Sequence, residues 1–234
     1  MLIEILSRAF SPQGLTQQDA TSIVGLLIAL VLGISVHEFS HALAATWLGD
    51  TIPSRDGRLT LAPAAHLDPL GSLMFLIAGF GWGRPVRYNP FALRASPRTG
   101  AALVALGGPL SNLILAALIA VPIRLMPFML GTSASALARS TGAEGIVYDL
   151  LSSIVFFNII LAMFNLIPIP PLDGFSILLG ILPAEMAEQF RQIEPWGMFL
   201  LLGLVLMSRY VDVLGMLLTG PVSILYLILV RLGS

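Results

Sequence analysis

Ile23-Val24-Gly25-Leu26-Leu27-Ile28-Ala29-Leu30-Val31-Leu32-Gly33-Ile34-Ser35-Val36 runs without interruption into His37-Glu38-Phe39-Ser40-His41. The first part is apolar enough to sit in hydrocarbon. The second places two imidazoles and a carboxylate roughly 21 Å further along the same helix, at about 1.5 Å per residue. Ionisable groups at membrane depth are costly unless paired, hydrated or coordinated. This stretch therefore indicates both a membrane fold and the place where chemistry is to be sought.

The whole chain reads the same way. It is 234 residues long, 56% hydrophobic and 11% charged, with a mean hydropathy of +0.91, too apolar for an ordinary soluble domain. Beyond the first span, from Thr21 to Leu48, apolar runs recur at Thr99–Pro122, Ile146–Ile167, Gly197–Met207 and Val213–Val230. They are continuous rather than alternating, which fits helices that satisfy their own backbone and not a barrel. The expectation is an all-α polytopic membrane protein, one integral-membrane domain over residues 1–234, with about five to six transmembrane or re-entrant helices. Met1–Thr21 lacks the basic-then-apolar-then-small layout of a cleaved signal peptide, so the first span is expected to stay in the mature protein.

Between the first two long runs the pattern changes. Thr51–Leu67 carries Pro53, Gly57 and Pro63 around the alternating Arg58-Leu59-Thr60-Leu61, which predicts a short membrane-associated β-hairpin after the first span. Asp68–Trp82 is apolar but only roughly 22 Å long as a helix, short of a crossing. The flanking loops hold Arg55, Arg58, Arg84, Arg87 and Arg94, with Arg98 just beyond. The positive-inside rule puts both on the cytoplasmic side, which requires Asp68–Trp82 not to cross. The expectation is a multi-pass protein of a prokaryotic plasma (inner) membrane, with its chemistry toward the cytoplasm.

His37-Glu38-Phe39-Ser40-His41 is an H-E-x-x-H string. On a helix its two histidines share one face a turn apart and can share a Zn²⁺, with Glu38 placed as general base. A catalytic zinc needs a third protein ligand and an open position. With no cysteine in the chain, that ligand must come from His, Asp or Glu. Asp173 closes a span that runs in the same direction as the first, which brings it to a similar depth, and Pro168, Pro170 and Pro171 break the helix just before it. Irregular backbone there calls for protein or a water-filled cleft around it.

His37-Glu38-Phe39-Ser40-His41-Ala42 together with Phe164-Asn165-Leu166-Ile167-Pro168-Ile169-Pro170-Pro171-Leu172-Asp173-Gly174 resembles the site-2 proteases. The resemblance extends through Gly57–Leu61, His66–Pro69, Phe80–Val86 and Gly107–Asn112, and is to the compact subgroup without PDZ or CBS domains. It implies His37, His41 and Asp173 as ligands of one Zn²⁺ and Glu38 as catalytic base. It also implies Asn165 as a residue that holds substrate or the oxyanion. Asn158 and Asn112 read as helix-packing residues, Asn112 beside Val104 and Gly108. Asp68 reads as a helix N-cap and His66 stays open between a structural role and one that orients a ligand.

The expected chemistry is zinc-assisted peptide hydrolysis on transmembrane segments of membrane-protein substrates, within the lipid bilayer. The hairpin at Gly57–Leu61 is expected to pair with an unwound substrate strand. Two other classes use similar residues: an intramembrane metal or ion transporter, and a catalytically silent zinc-binding scaffold. Nucleic acid is not an expected partner, given a net charge of −1 and no basic stripe.

Overall fold

A computed structural model of the chain describes residues 16–78, 81–208 and 210–231. Met1–Leu15, on which much of the expectation for the N-terminal segment rests, and Phe80 lie outside the described residues.

Helix α1 (Gln17–Trp47) opens on a capping box in which Thr16 and Asp19 satisfy each other's backbone N–H groups. It continues through the H-E-x-x-H string to Leu48, and Gly49, at φ 111°, turns the chain out of the helix. That φ is open to glycine at little cost. Two short helices follow, α2 (Ile52–Arg55) and α3 (Pro63–His66), then the ten-residue α4 (Pro69–Ala78). The long α5 (Pro97–Leu130) and the short α6 (Ala134–Leu137) lead into α7 (Ala143–Asn165). The chain then forms α8 (Asp173–Ile181), α9 (Ala184–Arg191), α10 (Gly197–Met207) and α11 (Val213–Tyr226).

Among the described residues, five stretches are long and apolar enough to cross a membrane: Asp19–Trp47, Pro97–Leu130, Ala143–Asn165, Ala184–Met207 and Val213–Val230. Helix α5 outruns its expected end at Pro122. It contains Pro109, Pro122 and Pro127 and stops only at Gly131, where φ is 60°. Its outward residues are large and apolar (Leu103, Leu110, Ile114, Leu118, Leu125), while Gly108, Asn112, Ala116 and Ala120 are buried. In lipid this is the expected polarity, since close helix approach and interhelical hydrogen bonds hold the bundle. Helices α1, α5 and α7 pack mutually to form its centre, and α8 packs on α5.

The hairpin expected at Gly57–Leu61 does not form, and among the described residues there is no strand. Pro53 and Pro63 each begin a short helix instead, as prolines in first-turn positions favour. The loop between them is organised by a buried cation, not by a ladder. The Arg58 guanidinium donates to the carbonyls of Ala65 (2.5 Å), Arg84 (3.0 Å) and Pro85 (3.0 Å). The strand-pairing surface assigned to that hairpin is lost with it. Asp50 ties the same region from the other side, accepting from the N–H groups of Ile52 and Asn89. Hydrogen bonds to a charged group contribute about 1.5–3 kcal/mol each, but Arg58→Ala also removes the cost of burying the cation, so the net loss is expected to be about 2–4 kcal/mol. A thermal melt in detergent reads this as an earlier transition.

Leu67 and Gly83 form an isolated antiparallel bridge, and Arg84 N–H donates to His66 O at 2.6 Å. The segment between them therefore starts and ends at the same place, and α4 lies within an excursion rather than a crossing. Asp68 caps α4, its Oδ1 accepting from Gly71 N–H at 2.8 Å.

Candidate metal centre and active site

Glu38 and the two histidines project from α1, and Asp173 is the first residue of α8. The chain between α7 and α8 carries Pro168, Pro170 and Pro171, and the Pro170–Pro171 peptide is cis. Gly174 lets α8 begin directly against the end of α7, for a Cβ there would collide with the carbonyl oxygen of Leu166.

His37, His41 and Asp173 converge so that one ligand atom from each lies within 4.8 Å of the others. Asp173 Oδ2 stands 3.0 Å from His37 Nε2 and 3.3 Å from His41 Nε2, yet it is buried with no hydrogen-bond partner. The other face of each ring explains why. His41 Nδ1 is 2.8 Å from Val104 O, a carbonyl that can only accept, so Nδ1 carries the proton. His37 Nδ1 is 2.7 Å from Asn112 Oδ1 and is a donor for the same reason. In the neutral rings both Nε2 lone pairs then face the carboxylate with no hydrogen between them. Such an arrangement repels itself unless a proton or a metal ion sits between them.

The space is kept by Gly108. A Cβ on it would come within 2.5 Å of His37 Cε1 and of His41 Nε2, so a side chain would fill the position a metal would take. Two imidazoles and a carboxylate, with both Nδ1–H groups bonded outward, are a zinc donor set with its orienting partners in place.

Glu38 stands beside this cluster. Its Oε2 is buried without a hydrogen-bond partner, and an orphaned carboxylate oxygen asks for a functional account. Both groups open into a cavity of about 430 Å³. Asn165 borders the cavity too, its Nδ2 donating to Leu161 O at 2.8 Å, and the second hydrogen of that amide makes no bond among the described residues. The wall is mostly apolar, and includes Trp82, Val86 and Phe164, as expected where a few polar groups converge in a binding cleft.

His37, Glu38, His41, Asp173 and Asn165 are therefore brought to one site. His66 is not. It is fully buried, its Nε2 donates to Thr60 O at 2.6 Å, and it lies outside the cavity lining. Residues not singled out from the sequence also reach the site. Gly108 stood out in the sequence as part of a small-residue packing face and of the resembling segment Gly107–Asn112, not as a neighbour of the histidines, and Tyr88 and Ser176 on the cavity wall carry no local sequence signal.

A family model described as Peptidase family M50 matches residues 25–207, from within α1 to the end of α10. The chain belongs to peptidase family M50. The protein named "Putative zinc metalloprotease YwhC" of Bacillus subtilis (strain 168) is 38% identical over 189 residues, covering 80% of this chain and 83% of its own. "Putative zinc metalloprotease Rip2" of Mycobacterium tuberculosis (strain ATCC 25618 / H37Rv) is 31% identical over 190 residues, or 79% of this chain and 66% of its own. Its namesake in Mycolicibacterium smegmatis is 28% identical over 195 residues, 79% and 69% of the two chains. No solved structure matches the M50 chain significantly. Zinc is the metal in the names of these relatives, and the His37, His41 and Asp173 cluster suits it.

Proposed function

We propose that the chain hydrolyses peptide bonds in or near transmembrane segments of other membrane proteins, with His37, His41 and Asp173 as zinc ligands. The observation that carries this is the convergence of those three ligand atoms beside the orphaned Glu38 oxygen, on helices long and apolar enough to span a membrane. Zinc, when bound, supplies a Lewis acid that lowers the pKa of water toward about 7 and polarises a carbonyl.

Glu38 takes the proton from the attacking water and later delivers it to the leaving amine. Its lack of a protein partner leaves its lone pairs available for that exchange. Asn165 donates its unbonded N–H to the oxygen of the reacting carbonyl as negative charge develops there. The apolar wall excludes bulk water and accepts apolar side chains of an unwound substrate segment.

The experiment is cleavage of single-pass model substrates by purified protein in liposomes, before and after chelation and again after zinc is restored. Activity lost and then recovered supports the reading, whereas activity indifferent to chelation contradicts it. Asn165→Ala is expected to lower kcat by about 10²–10³ with little change in zinc content, the effect of removing one oxyanion donor. An unchanged kcat would remove Asn165 from the mechanism.

The site faces the cytoplasm of a bacterial cell in this reading, on the side of Arg55, Arg87 and Arg94. Because the chain has no cysteine, a single cysteine at Ser54 reports this directly. It should react with an impermeant maleimide in inverted vesicles and stay protected in intact cells, and the reverse pattern would invert the topology.

A further inference from the structure

Asn112 and Asn158 are both fully buried, on α5 and α7, in a bundle where an unpaired amide would be costly. Their bonds form one directed chain. His37 Nδ1–H donates to Asn112 Oδ1 (2.7 Å), Asn112 Nδ2 donates to Asn158 Oδ1 (3.0 Å), and Asn158 Nδ2 donates to Ile154 O (2.8 Å). Asn112 Nδ2 also donates to Gly33 O at 3.0 Å. Every hydrogen of the Asn112 amide is thus committed to an oxygen. Turning that amide over would place its Oδ1 against two acceptors and its N–H groups against the imidazole donor. The Asn112 oxygen is fixed toward His37 by carbonyls of α1 and α7, neither of which touches the ring.

We infer that Asn112 and Asn158 are positioning residues of the metal centre: their hydrogen-bond relay locks His37 in the Nδ1–H tautomer and aims its Nε2 at the ligand position. His41 receives the same service from a backbone carbonyl, Val104 O, which no side-chain substitution removes. His37 depends on side chains, and through them on the register of α1, α5 and α7. The inference rests on His37 being a zinc ligand. It adds that the third helix of the bundle centre, which supplies no ligand of its own to the cluster, helps to set the affinity of the site.

The chain has three histidines, so uniform histidine ¹⁵N labelling yields three imidazole spin systems. In wild-type protein, His37 and His41 should show Nδ1–H and His66, which donates from Nε2 to Thr60 O, the opposite tautomer. In Asn112→Leu the His37 ring should lose its fixed Nδ1–H signature, and the zinc dissociation constant, measured by chelator competition, should rise about 10–100-fold. Asn112→Asp keeps an acceptor facing Nδ1 but sets its second oxygen against Gly33 O and Asn158 Oδ1, so it should keep the Nδ1–H signature of His37 while its thermal stability falls. A role in packing alone predicts that Leu leaves that signature unchanged. The relay is overturned if Asn112→Leu keeps both the tautomer and the affinity, or if Asn112→Asp loses the Nδ1–H signature as Leu does. Should wild-type protein bind no zinc, the ligand assignment fails separately. The tautomer comparison in metal-free protein then still decides the relay.

Discussion

Glu38→Gln should lower the rate of substrate cleavage by about 10²–10⁴, the contribution of a positioned general base, while zinc content stays at one per chain. The amide is nearly isosteric with the carboxylate, so the space beside Gly83, whose Cβ would lie 3.3 Å from Glu38 Oε1, is filled as before. What is lost is an oxygen that can hold a proton. In the native chain the Glu38 Oε2 is buried without a partner. Stability should hold or rise, because a buried unpartnered carboxylate is a liability that an amide reduces. Single-turnover cleavage with metal analysis on the same sample separates these effects. Loss of zinc together with activity would show Glu38 acting on the metal site rather than on the proton.

Gly108→Ala should be nearly as damaging by a different route. The added Cβ would come within 2.5 Å of the rings of both His37 and His41, closer than carbon tolerates, and α5 cannot retreat without losing its contact with α1. The rings must turn away from Asp173. A displacement of about 1 Å at a reacting centre costs on the order of 10²-fold, and a disturbed ligand sphere lowers metal affinity as well. The expected result is protein that retains little zinc after desalting and shows activity reduced at least about 10²-fold. Gly107→Ala is the control. Its Cβ would meet Ser40 O at 3.1 Å and Ala44 Cβ at 3.4 Å, contacts that cost packing but do not reach the imidazoles. Equal damage from the two substitutions would mean that the helix contact, and not the ligand space, is what Gly108 protects.

The cluster of His37, His41 and Asp173 could be anticipated from the sequence in two steps. Two histidines one turn apart on an apolar helix need no tertiary information, whereas Asp173 required the direction and depth of its span as well as the prolines that stop the helix before it. The spans could be read because lipid imposes a long apolar run on each, and only their ends were misplaced. Pro122 suggested a stop, but in a 34-residue helix with three internal prolines it is simply passed. The loop after the first span misled for a related reason. Alternation at Arg58–Leu61 mimics a strand, whereas the conformation is fixed by Arg58 reaching carbonyls as far away in sequence as Pro85, a long-range bond that no local period encodes. Gly108 and the two asparagines lay between these cases. Their residue types marked a close helix contact, but only the structure shows that the contact faces the histidines.

The most direct test of the account is the position of the cut. A single-pass substrate reconstituted with the protein in liposomes, with both products identified by mass spectrometry, should be cleaved at a peptide bond within or at the edge of its apolar segment, and the products should disappear with Glu38→Gln. Cleavage confined to the substrate's water-exposed loops, or products that persist in Glu38→Gln, would contradict an intramembrane protease built on His37, Glu38, His41 and Asp173.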